Sequence, residues 1–258
     1  MHLAAAPLVA ACRVSRLQQR GPAGPALRRA ASRAMSTPPR AADAPPVPNF
    51  FKDIYVKFAE DKQPVPWDIA APQPSLVALP AGTLHGRCFD VGTGTGDNAL
   101  WLAGVPGVTE VAAIDLSPTA VAEASARLSA APAPKAKLTF NVADVFALPA
   151  ELTGYDVLLD SAVFHCIGDD DAQKRYLAAV TPRIKMGGRA VMLVFSDRND
   201  EEPWIGPRRI SEAHARAMWT AAGWRVDSMD TSARYMDNLK RYNGAGGHAL
   251  LMLATRVA

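Results

Sequence analysis

From Phe50 onward, apolar and polar positions along the chain follow two alternating periods. FFKDIYVKFAE, Phe50 to Glu60, has apolar residues at helical spacing and predicts a helix. QPVPWDIAAPQP, Gln63 to Pro74, holds four prolines and must be an ordered loop or lid, because proline removes a donor and breaks a helix. SLVAL, Ser75 to Leu79, predicts a short helix capped by Ser75. Beyond it strands and helices alternate. RCFDV is a strand and TGDNALWLAG a helix ending at Gly104. VTEVAAIDL is a strand, followed by the helix SPTAVAEASARLSA with Ser117 as N-cap and Pro118 at its first position. KLTFNVADV and YDVLLDSAVF are strands, and DDDAQKRYLAAVTPRI is a helix whose first-turn acids suit the dipole. GGRAVMLVFS is a strand, ISEAHARAMWTAAG a helix closed by Gly223, and WRVDSMDT and GGHALLMLATRV are two final strands. Central strands apolar on both faces, alternating with helices, predict one α/β domain with a parallel sheet covered on both sides.

Composition changes this picture only at the N-terminus. Residues 1–45 hold seven arginines and one acid, a charge of +6, which leaves −3 for the rest of a chain whose net charge is +3. The folded part is therefore mildly acidic, and the basic balance is no evidence for nucleic-acid binding. That first stretch, rich in Ala, Ser, Pro and Arg, has the composition of an organelle transit peptide. The expectation is a targeting segment over 1–45, plastid favoured over mitochondrion, with cytoplasm as the alternative, and a catalytic domain over 46–258. No apolar run reaches the roughly 18 residues of a membrane span. Cys12, Cys88 and Cys166 form no CxxC or His/Cys cluster, so neither a disulfide framework nor a zinc site is expected.

The chemistry is concentrated at the ends of the first four strands. FDVGTGTGDNALWLA runs from a strand through Gly92, Gly94 and Gly96 into a helix. In an open α/β sheet, ligands sit where the strand order reverses, and this turn is in that place. The spacing is GxGxG rather than the GxGxxG of dinucleotide sites, and Asp97 in the first helical turn would repel a pyrophosphate. Asp90, two residues before the first glycine, suits a cationic group. Asp115 ends the second strand and can accept from both hydroxyls of a ribose, and Asp144 ends the third and can accept from an adenine amine. Asp160 ends the fourth. A ligand with ribose, adenine and a cationic amino-acid tail, and no phosphate, satisfies the set: S-adenosylmethionine.

These motifs resemble those of the class I S-adenosylmethionine-dependent methyltransferases over nearly all of residues 60–258. DVGTGTG resembles the glycine motif, IDLSP (with Asp115 and Leu116) the ribose-binding segment, and ADVFALP (with Asp144 and Val145) the adenine-contacting segment. IKMGGRAVML resembles the segment before the fifth strand, with Met186 where a proline is usual. The resemblance implies a Rossmann-like three-layer sandwich: a seven-stranded, mostly parallel sheet with an antiparallel last strand. VPWDIAAPQPSLVAL, DSAVFHCI and FSDRN…WIGPRRIS are similar to small-molecule members of the thiopurine, thiol and halide methyltransferase group, in which Trp67 and Asp68 would line a lid over the donor.

Several side chains remain candidates for the chemistry. Trp67, with Phe51 and Tyr55, could face a sulfonium, which aromatic rings attract. His165 could take the acceptor's proton, with Asp160 the second candidate catalytic group. Cys166 is expected to pack rather than react, and His248 to be structural. Arg208 and Arg209 are either rim groups for a substrate carboxylate or a solvated loop. The expected reaction is methylation of a small thiol or other soft nucleophile by a monomer or homodimer, without nucleic acid or membrane. The alternatives are an O-, N- or C-methyltransferase of a small organelle metabolite and a non-catalytic S-adenosylmethionine-binding protein.

Overall fold

The computed structural model describes residues 50–61, 65–201, 206–239 and 241–258. The segment 1–45, expected to be a targeting peptide, and the side chain of Phe51 lie outside the described residues. Among the described residues eight strands form one sheet: β1 (Gly86–Val91), β2 (Val108–Asp115), β3 (Lys137–Val142), β4 (Tyr155–Ser161), β5 (Ile184–Phe195), β6 (Trp224–Asp230), β7 (Arg234–Tyr235) and β8 (Gly247–Arg256). Their order is β3-β2-β1-β4-β5-β8-β6, with β7 beside the start of β8. The first five pair in parallel, and β8 is antiparallel to both neighbours, β5 and β6. The helices are α1 (Phe50–Asp61), α2 (Pro74–Val77), α3 (Asp97–Leu102), α4 (Pro118–Ala130), α5 (Asp170–Val180) and α6 (Glu212–Ala221).

The expected Rossmann-like sandwich is the fold, with three local departures. The extra strand β7 is two residues long, too short to leave a periodic signal. Ser75 lies inside α2 rather than capping it, because Pro74 starts the helix and the serine hydroxyl is held by the backbone of Arg234. α3 ends at Leu102, short of the expected Gly104. Elsewhere Ser117 caps as expected, its side chain accepting the Ala120 N–H, and the structure adds two caps the sequence reading did not name: Asp169 accepts the Ala172 N–H and Ser211 that of His214.

Because side chains alternate along a strand, each central strand feeds two cores. Phe89, Val91, Ile114 and Leu158 pack with Tyr176, Leu177 and Trp219 on the α5–α6 side. Cys88, Val111, Ala113, Val157 and Leu159 pack with Leu76 and Leu102 on the α2–α3 side. The strand order reverses between β1 and β4, so the crevice at their carboxyl ends is the switch point where ligands of this architecture bind.

Candidate active site

The glycine turn between β1 and α3 is built by close approach. Gly92, Gly94 and Gly96 have φ of +66°, +57° and +89°, a left-handed backbone that L side chains rarely adopt. A Cβ on Gly92 would overlap Val163 of the loop after β4. One on Gly94 would lie 2.7 Å from the Tyr55 hydroxyl, and one on Gly96 2.9 Å from both Ala124 and Phe140. Gly92 and Gly94 line a cavity of about 50 Å³, together with Trp67, Ala71, Gln73, Thr93, Thr95, Asp97, Asn98, Ser161 and Tyr235. Gly96 does not: its missing side chain lets α4 and β3 close on the turn, a packing role in place of the expected ligand contact.

Asp115 and Asp90 share the α2–α3 side of the sheet, since Asp90 pairs with Ala113 in the ladder. The Asp115 carboxylate accepts the Gly94 N–H at 2.9 Å and the Ser117 N–H at 2.8 Å, which fixes its position with lone pairs to spare. Burial pushes its carboxyl up from the usual range, and those N–H groups oppose the shift. Asp90 is 1% exposed and its Oδ2 has no hydrogen-bond partner. Its pKa rises to about 7, first through burial and then through the charges of Asp115 and Asp160, with the nearby Thr93 hydroxyl opposing. Asp144 is exposed just beyond β3, where it accepts the Phe146 N–H and starts the 3-10 turn Val145–Ala147. Leu116, half-buried, follows Asp115 in the turn to α4.

Asp160 departs from the expected ring of carboxylates. It pairs with Val91, one step out of phase with Asp90, so its side chain faces the α5–α6 side. There it is fully buried and accepts from the Val163 and Phe164 N–H groups and from the Tyr176 hydroxyl at 2.7 Å. It anchors the loop after β4 and has neither the exposure nor the free lone pairs for catalysis or donor binding. His165 is likewise structural. Its Nδ1 accepts the Phe195 N–H at 2.8 Å, so the neutral ring carries its proton on Nε2 and has no lone pair left to act as a base. Burial pushes its pKa down to about 3, against a hydrogen bond to the Ala162 backbone. The ring stacks on Phe195 and meets Tyr235 edge-on, with centroids 5.2 and 6.3 Å away.

A lid of residues 65–73 covers the glycine turn. Trp67 donates its indole N–H to the Tyr55 hydroxyl at 2.7 Å, joining lid and α1. Asp68 does not line the cavity: it pairs with Arg127 of α4 at 2.7 Å, and the same guanidinium holds Asp97 at 2.9 Å. Asp97 thus shares one guanidinium with Asp68 and Glu123, which offsets part of its charge, while burial and the neighbouring Asp68 push its carboxyl up. Gln73 exchanges two hydrogen bonds with the Met236 backbone, and Asn238 bonds the carbonyls of Val65 and Asp68. Sequence reasoning missed Arg127 and Tyr235, which belong to no quoted motif, and did not single out Gln73 and Ser161 within the segments VPWDIAAPQPSLVAL and DSAVFHCI that contain them. Arg208 and Arg209 stay away from the cavity: Arg208 pairs with Asp170 at the start of α5, and Arg209 holds the Asn199 carbonyl. The larger open depression of about 610 Å³ at that place is lined by Asp169, Asp170, Asp171, Lys174 and Arg208. Its Arg208–Asp170 and Lys174–Asp171 pairs mark it as solvated surface.

The residues present fit S-adenosylmethionine better than a phosphate-bearing nucleotide. The turn offers the orphaned Asp90 carboxylate oxygen and the fixed Asp115 carboxylate, while no Lys or Arg is among the residues lining the cavity. Acceptors without cations match hydroxyls, an ammonium and a sulfonium.

Known proteins agree. Residues 89–188 match the family model described as a methyltransferase domain. The chain is 31% identical over 175 residues to the 2-heptyl-1-hydroxyquinolin-4(1H)-one methyltransferase of Mycobacteroides abscessus, covering 66% of this chain and 73% of that protein. A solved structure described as "Conversion of a Disulfide Bond into a Thioacetal Group during Echinomycin Biosynthesis" is similar at 31% identity and a TM-score of 0.67, over 81% of this chain and 92% of that one. Magnesium protoporphyrin IX methyltransferase from Synechocystis PCC 6803, solved with bound S-adenosylmethionine, shares the fold at 18% identity and a TM-score of 0.51, over 68% of this chain and 72% of its own. The chain belongs to the S-adenosylmethionine-dependent methyltransferases.

Proposed function

We propose that the chain methylates a small acceptor that arrives with its nucleophile already ionised, a thiol or an acidic hydroxyl on a heteroaromatic ring. One observation carries this reading: among the described residues lining the cavity, none is a free general base. Asp97 is held by Arg127, His165 lies outside the lining set with its Nδ1 occupied, and the rest are amides, hydroxyls, small residues and an indole. A thiol, whose ordinary pKa is about 8.5, provides some anion at neutral pH unaided. The relatives point the same way, since one is named for a hydroxyquinolinone and the other for sulfur chemistry on a disulfide. The likeness of the Pro-Trp-Asp segment to the thiol methyltransferase group supports the sulfur branch.

When bound, S-adenosylmethionine supplies an electrophilic methyl on a sulfonium sulfur. In this reading Asp115, beside Leu116, holds the ribose hydroxyls, and Asp144 and Val145 face the adenine. The backbone at Gly92 and Gly94 cradles the amino-acid tail, with Asp90 as its counter-charge. Trp67 closes the lid and turns its ring to the sulfonium, an attraction of about 0.5–2 kcal/mol. The acceptor's lone pair forms the bond to the methyl carbon, the carbon–sulfur bond breaks, and its electron pair stays on the departing sulfur. No proton has to be taken up by the protein. The residues therefore contribute by alignment and by excluding water.

The test is turnover. Purified protein with donor should form S-adenosylhomocysteine with aryl thiols or N-hydroxy heteroaromatics and not with aliphatic alcohols. Turnover confined to acceptors that need deprotonation by a base would reject the reading. Residues 1–45 we read as an organelle-targeting segment, plastid first, testable by import and N-terminal sequencing of the imported chain.

A further inference from the structure

The donor, as placed above, extends along the strand tips from Asp144 beyond β3 through Asp115 on β2 to the turn after β1. The next strand tip is β4, about 4.8 Å farther on. Its last residue, Ser161, has the same parity as Leu159, so its side chain is on the α2–α3 side with Asp90 and Asp115, opposite to Asp160. Ser161 is 8% exposed and lines the cavity, and its hydroxyl faces that of Tyr235 without a well-formed hydrogen bond. A buried hydroxyl so placed keeps hydrogen-bonding capacity for a ligand. The next residue, Ala162, has φ +72°, a strained conformation for a residue with a side chain. The strain is held by the Asp160 carboxylate on the following N–H groups and by Val163 against Gly92.

On the same wall lies Tyr235 of β7, 5% exposed and beside Ser161. Its ring is wedged against Phe195 at 5.1 Å and against the buried His165 at 6.3 Å. Burial pushes its pKa upward, so the phenol stays protonated and remains a donor. The turn after β4 and the two-residue strand β7 thus bring two hydroxyls together at the donor's far end, where a methyl acceptor must sit.

We propose that Ser161 and Tyr235 form the acceptor subsite and bind the acceptor's ionised sulfur or oxygen with two neutral hydrogen-bond donors. This inference rests on the methyltransferase reading above and deepens it. Neutral donors steady an anion while leaving its lone pair nucleophilic, and they favour the ionised acceptor over its protonated form.

The experiment uses the full chain with S-adenosylhomocysteine or S-adenosylmethionine and thiophenol as probe, in wild type, Ser161→Ala and Tyr235→Phe. Calorimetry gives donor and probe affinities, and product formation gives kcat/KM across the thiol's own pKa. The expected result is a loss of acceptor kcat/KM of about tenfold for each variant, the scale of hydrogen bonds to charged groups. That loss should be greatest where the thiol is ionised, with donor affinity unchanged. Variants equal to wild type, or an equal loss in donor affinity, would overturn the acceptor subsite while leaving the methyltransferase reading intact. A wild-type donor complex that neither binds nor methylates thiophenol or an N-hydroxy heteroaromatic would overturn both.

Discussion

Asp68 of the lid and Arg127 near the end of α4 meet at 2.7 Å, and the lid is thereby fastened to the helix that begins beside Asp115. The same guanidinium spans Asp97 at the start of α3 and Glu123 one turn back. One cation thus holds together three carboxylates, two of which would otherwise repel each other beside the donor turn.

Arg127→Ala should therefore lower donor affinity about tenfold and stability by about 2 kcal/mol, the scale of hydrogen bonds to charged groups. Arg127→Lys should recover only part, because an ammonium cannot present the planar fork that spans Asp68 and Asp97. Donor titration and thermal melts check this; an Arg127→Ala protein that binds the donor as wild type does would release the lid from any part in binding.

Asp115→Ala should weaken the donor about a hundredfold, since it removes the anchor for Gly94 and Ser117 and, in the proposed pose, two charge-assisted bonds to the ribose. Asp115→Asn, which keeps the shape and one acceptor, should lose less. Competition with a 2′-deoxy donor analogue separates the effects: the analogue should be penalised in wild type and hardly at all in Asp115→Ala.

Asp90 predicts a pH dependence whose sign follows from its raised pKa of about 7. A cationic ligand needs the carboxylate, so donor affinity should rise with pH up to about 7 and level off above it. Without ligand the direction is opposite. The folded protein keeps a proton that the unfolded chain releases above its ordinary carboxylate range, so stability falls as pH rises from about 4 towards 7. Asp90→Asn should flatten the affinity profile and raise the Tm at pH 7.5 but not at pH 4. Calorimetry and melting curves at both pH values read this directly.

His165→Gln should lose stability through the broken bond to Phe195 and the disturbed stack under Tyr235. It should leave the acidic limb of the kcat/KM profile where it was, because the imidazole does not titrate near neutral pH in the folded chain. A limb near pH 6.5 that vanishes in this variant would return His165 to the role of base.

Much of the fold was legible because burial imposes periods on the chain. The two-faced apolar runs of β4 and β5, the Ser117 cap and the glycine turn each carry a local physical signal, and each lies where it was expected. β7 and the lid contacts through Gln73 and Asn238 carry none, since two-residue pairings and long-range amide bonds leave no pattern in a window of sequence.

By itself the sequence determined the α/β order, the glycine turn, and the strand-tip acids Asp90 and Asp115 to which we assign the recognition of a cationic adenosine. These are local properties, fixed by spacing and residue type. Only the tertiary structure decided which face each strand-tip residue takes. Asp90 and Asp160 read alike along the chain, yet the β1–β4 register is offset so that Asp90 lies opposite Leu159, and alternation then sends the two carboxylates to opposite sides of the sheet. That one-residue phase removes Asp160 from the site and places Ser161 in it.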